Sequence, residues 1–205
     1  MARNLKEEKH YVCALILYRI STEMHKTLNL SPDDEVKWIR HRVVNISYAV
    51  KPLIKVGGRS RDIGIEYGLK YMEKLLIELR AVKNVDPDVR ACNETECLNS
   101  IGCQYDEFGE YQRAIELKKE GIVILENHFG DDASKYQTYA HLLNNVGFSL
   151  EITRKYKDAK RYYVKAIDAY EKVLDFETEN KKLEEIEITK RLLSFVRSEI
   201  TKAEA

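Results

Sequence analysis

Eight residues recur in this chain as a set, 45 positions apart, and that recurrence limits the folds open to it. The first set is Leu98, Ile101, Gly102, Tyr105, Gly109, Tyr111, Ala114 and Gly121; the second is Leu143, Val146, Gly147, Leu150, Arg154, Tyr156, Ala159 and Ala166. The offsets are the same in both, and the classes run apolar, apolar, small, large, turn, aromatic, small, small. Steps of three and four residues on either side of a short turn are the period of two helices folded against each other. Small residues inside each helix let the partner backbone come close. A helical hairpin of this size does not bury its apolar face alone, so it must stack on neighbouring hairpins. Chains built this way bind other molecules along their stacked faces.

The series resembles the tetratricopeptide repeat, whose signature is large, large, small, large, glycine, tyrosine, alanine, aromatic, alanine. Ala159, Tyr163 and Ala166 follow its second-helix part. In the first copy Ala114 and Gly121 follow it, with Lys118 in place of the aromatic. The spacing exceeds the ~34 residues of the standard repeat. With Leu143, Asn144 and Asn145 in the first helix, the chain is most similar to the long-repeat, kinesin-light-chain-like type. That resemblance implies an all-α fold: a short right-handed α-solenoid of stacked antiparallel helix pairs with a C-terminal capping helix.

The pattern extends backward. Tyr11, Ala14, Tyr18 and Ser21 repeat the offsets of Tyr156, Ala159, Tyr163 and Ala166. Residues 5–29 are therefore expected to be the second helix of a partial unit. Residues 33–80 form a degenerate unit, with Val43, Ile46, Ser47 and Val50 in its first helix and Gly64 in its second. Its link from Ser47 to Gly64 is 17 residues against 12 in the clear copies, which points to an insertion within Pro52 to Ser60. Units over 91–128 and 133–175 and a capping helix over 181–203 complete one domain, 1–205. Glycine, proline, asparagine or aspartate punctuates the chain near residues 31, 57, 86, 109, 131, 154 and 178, which predicts eight helices. Ser31, Pro32 and the acids Asp33, Asp34 and Glu35 make a helix start, since acidic side chains favour the positive N-terminal end of a helix. The last helix carries Ile186, Leu193, Val196 and Ile200 on one stripe, with charged residues opposite, as a terminal cap requires.

Composition removes several function classes. Lys plus Arg and Asp plus Glu each number 34, so the formal net charge is zero and the excess of basic residues expected of a nucleic-acid binder is missing. No apolar run approaches the ~18 residues of a membrane span. The charged stretch from Met1 to His10 lacks the apolar core of a secretion signal, and the expected location is cytoplasmic. Cys13, Cys92, Cys97 and Cys103 have no zinc-knuckle spacing and read as small thiols in or near the core. His128 lies near Asp131 and Asp132 but has no second ligand one helical turn away, so no metal and no cofactor are expected. Cys103 and His141 belong to no catalytic motif, and the chain is read as a non-enzyme.

In the family that the chain resembles, first helices line the inner wall of a superhelix. The resemblance places groove positions six and three before, and one and four after, the small residue of each first helix. These are Glu96, Asn99, Cys103 and Asp106 in one unit and His141, Asn144, Phe148 and Glu151 in the next. In the degenerate unit they are His41, Val44, Tyr48 and Lys51. Asparagine there offers a donor and an acceptor to an extended backbone, and Phe148 and Tyr48 offer apolar contact. The acids favour a ligand with Lys or Arg. The expected function is an interaction module or adaptor that binds a peptide or partner helix. The alternative is a regulatory or assembly domain of a larger signalling or sensor protein, in contact with partners, further N-terminal repeats or another copy through its open N-terminal end.

Overall fold

The computed structural model describes residues 10–18, 20–21, 28–174, 176 and 178–204. The expected 5–29 helix is helical over 10–18 and 20–21, called α1; Leu28 and Asn29 are not helical, and the rest of that span lies outside the described residues. Among the described residues there is no strand, and the chain is an all-α helical repeat. It divides into two compact units, Met1–Gly109 and Glu110–Ala205.

In the first unit α2 runs from Pro32 to Val56. Ser31 caps it, the hydroxyl accepting from the Asp34 amide at 3.2 Å, and Pro32 sits where a missing N–H does no harm. The expected insertion did not become a loop. α2 continues through Pro52 to Val56, nine residues past Ser47, whereas later first helices end six residues past Gly102 and five past Gly147. The second helix is one rod in three parts: α3 (Gly58–Ile63), a π turn (Gly64–Leu69) and α4 (Lys70–Ala81). A π turn accommodates extra residues without breaking the rod. Gly68, inside it, lies against α2 so closely that a Cβ would overlap Val50 Cγ2. α5 (Pro87–Phe108) starts on Asp86, whose carboxylate accepts from the amides of Asp88 and Val89, and packs along α2. Val43, Ile46, Val50 and Leu53 of α2, Met72, Leu75 and Leu79 of α4, and Leu98 and Ile101 of α5 are buried in this unit.

The second unit contains α6 (Tyr111–Phe129), a short 3₁₀ turn (Gly130–Lys135), α7 (Gln137–Ile152), α8 (Tyr156–Lys172) and α9 (Glu179–Glu204). Each packs on its successor in sequence, α6 on α7, α7 on α8 and α8 on α9. The turn position of the repeat is left-handed in both copies: Gly109 closes α5 at φ 84°, and Arg154 follows α7 at φ 59°. Glycine takes that conformation freely, whereas an arginine there costs ~1 kcal/mol or more.

Ala159 is inaccessible at the crossing of α7 and α8, within a core that includes Leu143, Val146, Leu150, Tyr163, Ala166 and Tyr170. Ala114 is equally buried on α6. Ala159→Leu is expected to lower the stability of the second unit by ~1–3 kcal/mol through overpacking. Urea unfolding measures it, and a parent-like midpoint would show that the hairpin alignment is wrong. On α9 the expected stripe is buried at Ile186, Leu193 and Val196 and half-buried at Ile200. Thr189 joins it, fully buried.

Candidate functional site

The first-unit candidates stand on neighbouring helices. Tyr48, on the outer side of α2, is 72% exposed, the most open large ring among the described residues. Glu96, Asn99, Cys103 and Asp106 are half-buried along α5. Two cross-helix ion pairs join the helices, Arg40 Nε to Glu96 Oε2 at 3.2 Å and Lys51 Nζ to Glu107 Oε1 at 2.8 Å. Arg40 also donates to Asn93 Oδ1 at 3.2 Å. The Cys103 thiol lies 4.0 Å from Asn99 Oδ1, one helical turn away. His41, on α2 between two arginines, has its pKa lowered by burial and by the charges of Arg40 and Arg42, so its ring is neutral at pH 7.

The second-unit candidates share α7. Phe148 is 40% exposed, and Ile152, one turn on, is equally open. Asn144 Oδ1 accepts from the Thr189 hydroxyl of α9 at 3.2 Å. Its carboxamide therefore has a structural partner, a contact that sequence reading missed because the two residues are 45 apart. Glu151 accepts from the Tyr163 hydroxyl at 2.7 Å, so this acid is also engaged. The His141 ring sits edge-on to Tyr170 at 5.6 Å and to Phe176 at 6.2 Å, with the Gln137 amide 3.4 Å from its Nε2. It is part of an aromatic cluster.

That cluster contains a buried phenol. Tyr170 is inaccessible, and its hydroxyl has no hydrogen-bond partner among the described residues. Burial, and secondarily the charge of Glu185, pushes its pKa up, while burial and Glu184 push up that of Glu185. An unpaired buried hydroxyl carries a desolvation cost that its removal relieves. Tyr170→Phe is expected to leave stability unchanged or raise it by ~1 kcal/mol. A fall in the urea midpoint would reveal a partner for the hydroxyl.

Lys118 and Tyr163 occupy the same repeat position and are both buried, but they reach different ways. Tyr163, on α8, turns to Glu151 and Gly147 of α7, the first helix of its own pair. Lys118, on α6, turns to the next first helix: its ammonium donates to Ser149 Oγ at 2.9 Å and to the Asn145 carbonyl at 3.2 Å. A lysine in a repeat position would normally read as solvent-facing, and its burial was not legible in the sequence.

Among the described residues no group of three or more His, Cys, Asp or Glu side chains is placed to hold a metal ion. None of the described helices is long and apolar enough to cross a membrane. Cys103 lies in the first unit and His141 in the second.

A family profile described as tetratricopeptide repeat matches residues 140–178, the stretch of α7, α8 and the following turn. No curated protein matches the chain significantly. Among solved structures, the crystal structure of BtubC (BKLC) from P. vanneervenii is similar, at 16% identity and a TM-score of 0.46. The aligned region covers 82% of this chain and 57% of that one, so this chain spans less than two thirds of its length. The profile match and the α7–α8 hairpin beneath it place a tetratricopeptide repeat over residues 140–178, within the second unit.

Proposed function

We propose that the chain is a non-enzymatic interaction module whose first helices hold a peptide or partner helix. One observation carries this reading. The first helices α2 and α7 turn Tyr48 and Phe148 outward, at 72% and 40% exposed; in the second unit the second-helix rings Tyr163 and Tyr170 are buried, while in the first unit Tyr67 of the second helix is 48% exposed. Exposed rings on a rigid helix give a ligand apolar area at low entropic cost. Tetratricopeptide repeats serve widely as protein-binding folds, and a protein partner fits the zero net charge. Asn99 and Asn144 are the proposed contacts to a partner backbone. On α5 the engaged acid Glu96, with Cys103 and Asp106, flanks Asn99, and on α7 His141 and the engaged acid Glu151 flank Asn144.

Partners recovered by proximity labelling supply the test. The Asn99→Ala, Asn144→Ala double variant is expected to weaken binding by ~1–3 kcal/mol, at ~0.5–1.5 kcal/mol per hydrogen bond lost. It should also lower the urea midpoint slightly, because the Thr189 hydroxyl loses its Asn144 acceptor. Unchanged affinity would place the binding surface elsewhere.

A second reading is favoured by α1. Ile16, Leu17 and Ile20 are each more than half exposed there, beside a buried Leu15. An assembly domain would use these residues to meet another part of a complex or another copy. Sedimentation that shows self-association, unaffected by the asparagine variants and abolished by Leu17→Asp, would favour it over groove binding.

A further inference from the structure

Acids along a binding wall select a basic ligand only while their charge is available, and in the first unit two such acids are already paired. Arg40 to Lys51 on α2 and Glu96 to Glu107 on α5 both span eleven residues. Eleven residues is three helical turns, ~16 Å along the axis. One cross-helix ion pair therefore stands at each end of a three-turn stretch of the α2–α5 seam. The hydrogen bond that Lys51 donates to Glu107 raises the Lys51 pKa against the opposing effect of burial, which keeps that pair charged at neutral pH.

Between the pairs the wall is uncharged as far as Cys103, and Asp106 stands beside Glu107 at the far end. Val44 and the exposed Tyr48 lie on α2, and Asn99 and Cys103 lie on α5. Pro52 adds a further feature: it stands four residues after Tyr48 and has no N–H, so the Tyr48 carbonyl lacks its usual helical donor. An apolar ring, a backbone acceptor and a side-chain amide thus occur together on one short surface.

We propose that this surface docks an electrically neutral peptide segment, with one large apolar side chain laid on Tyr48 and its backbone directed to Asn99 and the Tyr48 carbonyl. The proposal rests on the reading of the first helices as a binding wall and specifies its ligand. A ligand lysine would have to take Glu96 or Glu107 from a cation already in place, or approach Asp106 one residue from the Lys51–Glu107 pair, and would meet Arg40 and Lys51 as like charges. An apolar side chain meets no such competitor and gains by covering the ring.

A random twelve-residue peptide library displayed on phage, selected on the full chain at low and at high salt, tests this. Recovered sequences are expected to have near-zero net charge and a shared Leu, Phe or Trp, with recovery indifferent to salt. Labelled copies of those peptides should bind the Tyr48→Ala chain ~10-fold more weakly. They should bind the Tyr48→Phe chain within ~3-fold of the parent. Because Tyr48 is exposed, circular dichroism should show both variants folded as the parent. Lys- or Arg-rich sequences that fade with salt, yet still require Tyr48, would overturn the neutral-ligand inference and leave the peptide-binding reading intact. Peptides lost on Phe148→Ala and indifferent to Tyr48→Ala would overturn it in favour of the second unit. Recovery of no sequence, or self-association alone, would overturn both the inference and the reading on which it rests.

Discussion

Gly147→Ala is expected to be among the most damaging single-methyl changes in the second unit, lowering its stability by ~1–3 kcal/mol. A Cβ at this position would stand 2.7 Å from both Cδ1 and Cε1 of Tyr163, and that ring is fully buried with its hydroxyl held by Glu151. The ring has nowhere to go without opening the α7–α8 hairpin. Against the clash stands a gain in helix propensity of ~1 kcal/mol for alanine over glycine, which the overpacking outweighs. Gly121→Ala provides the comparison. Its Cβ would meet Leu142 Cδ1 at 3.1 Å and Cδ2 at 3.3 Å, the far end of a flexible side chain. There the propensity gain and the small displacement nearly cancel, so a change within ~1 kcal/mol is expected. Urea unfolding of the two variants side by side measures the difference. If Gly147→Ala is as stable as Gly121→Ala, the close approach of Tyr163 to α7 does not hold in solution.

Lys118→Glu is expected to cost ~3–5 kcal/mol, enough to unfold much of a domain whose total stability is ~5–15 kcal/mol. The ammonium of Lys118 is buried against two oxygens, Ser149 Oγ and the Asn145 carbonyl. A carboxylate there would set a buried negative charge against one carbonyl and keep at most the hydroxyl as a donor. Lys118→Met separates charge from volume. It retains the straight side chain and the packing, and Ser149 still donates to the Asn145 carbonyl at 3.0 Å. The loss of two hydrogen bonds is then offset by relief of the buried ammonium, and a change within ~1.5 kcal/mol is expected. Circular dichroism during urea titration distinguishes the two. A methionine variant as unstable as the glutamate variant would show that the ammonium itself holds α6 on α7. Neither variant touches Tyr48 or Phe148, so both fall outside the proposed binding surface.

Helix limits and repeat offsets were readable because they depend on short-range chemistry. Ser31 with Pro32, and Asp86 with Pro87, start helices by satisfying amides within the next three residues. Gly109 and Arg154 mark the turn by their place in the repeated offsets, and both take a left-handed conformation. Ala114 and Ala159 were identified as close-packing positions by the same offsets, and both are inaccessible. Tyr48 and Phe148, named from the repeat offsets as apolar contact positions, are both exposed.

Only the tertiary structure decided which side chains those positions meet. Of the acids expected to attract a basic ligand, Glu151 accepts from Tyr163 and Glu96 is paired with Arg40, because α2 lies beside α5 in a register that brings Arg40 to Glu96 and Lys51 to Glu107, each across 56 residues of sequence. Asn144 is bonded to Thr189, and the two meet only because α9 returns past α7. Lys118 is buried because α6 leans on α7 at that height, and its polarity in the sequence pointed the other way. Pro52 was read as the start of an insertion. The structure keeps it inside α2, and the added length is taken up by a longer helix and a π turn. The sequence by itself determined where this chain is helical and which faces are apolar, since a helix is fixed by bonds four residues long. Ligand charge, buried polar partners and close approaches were decided by packing, since they depend on the register between helices, which local bonds leave open.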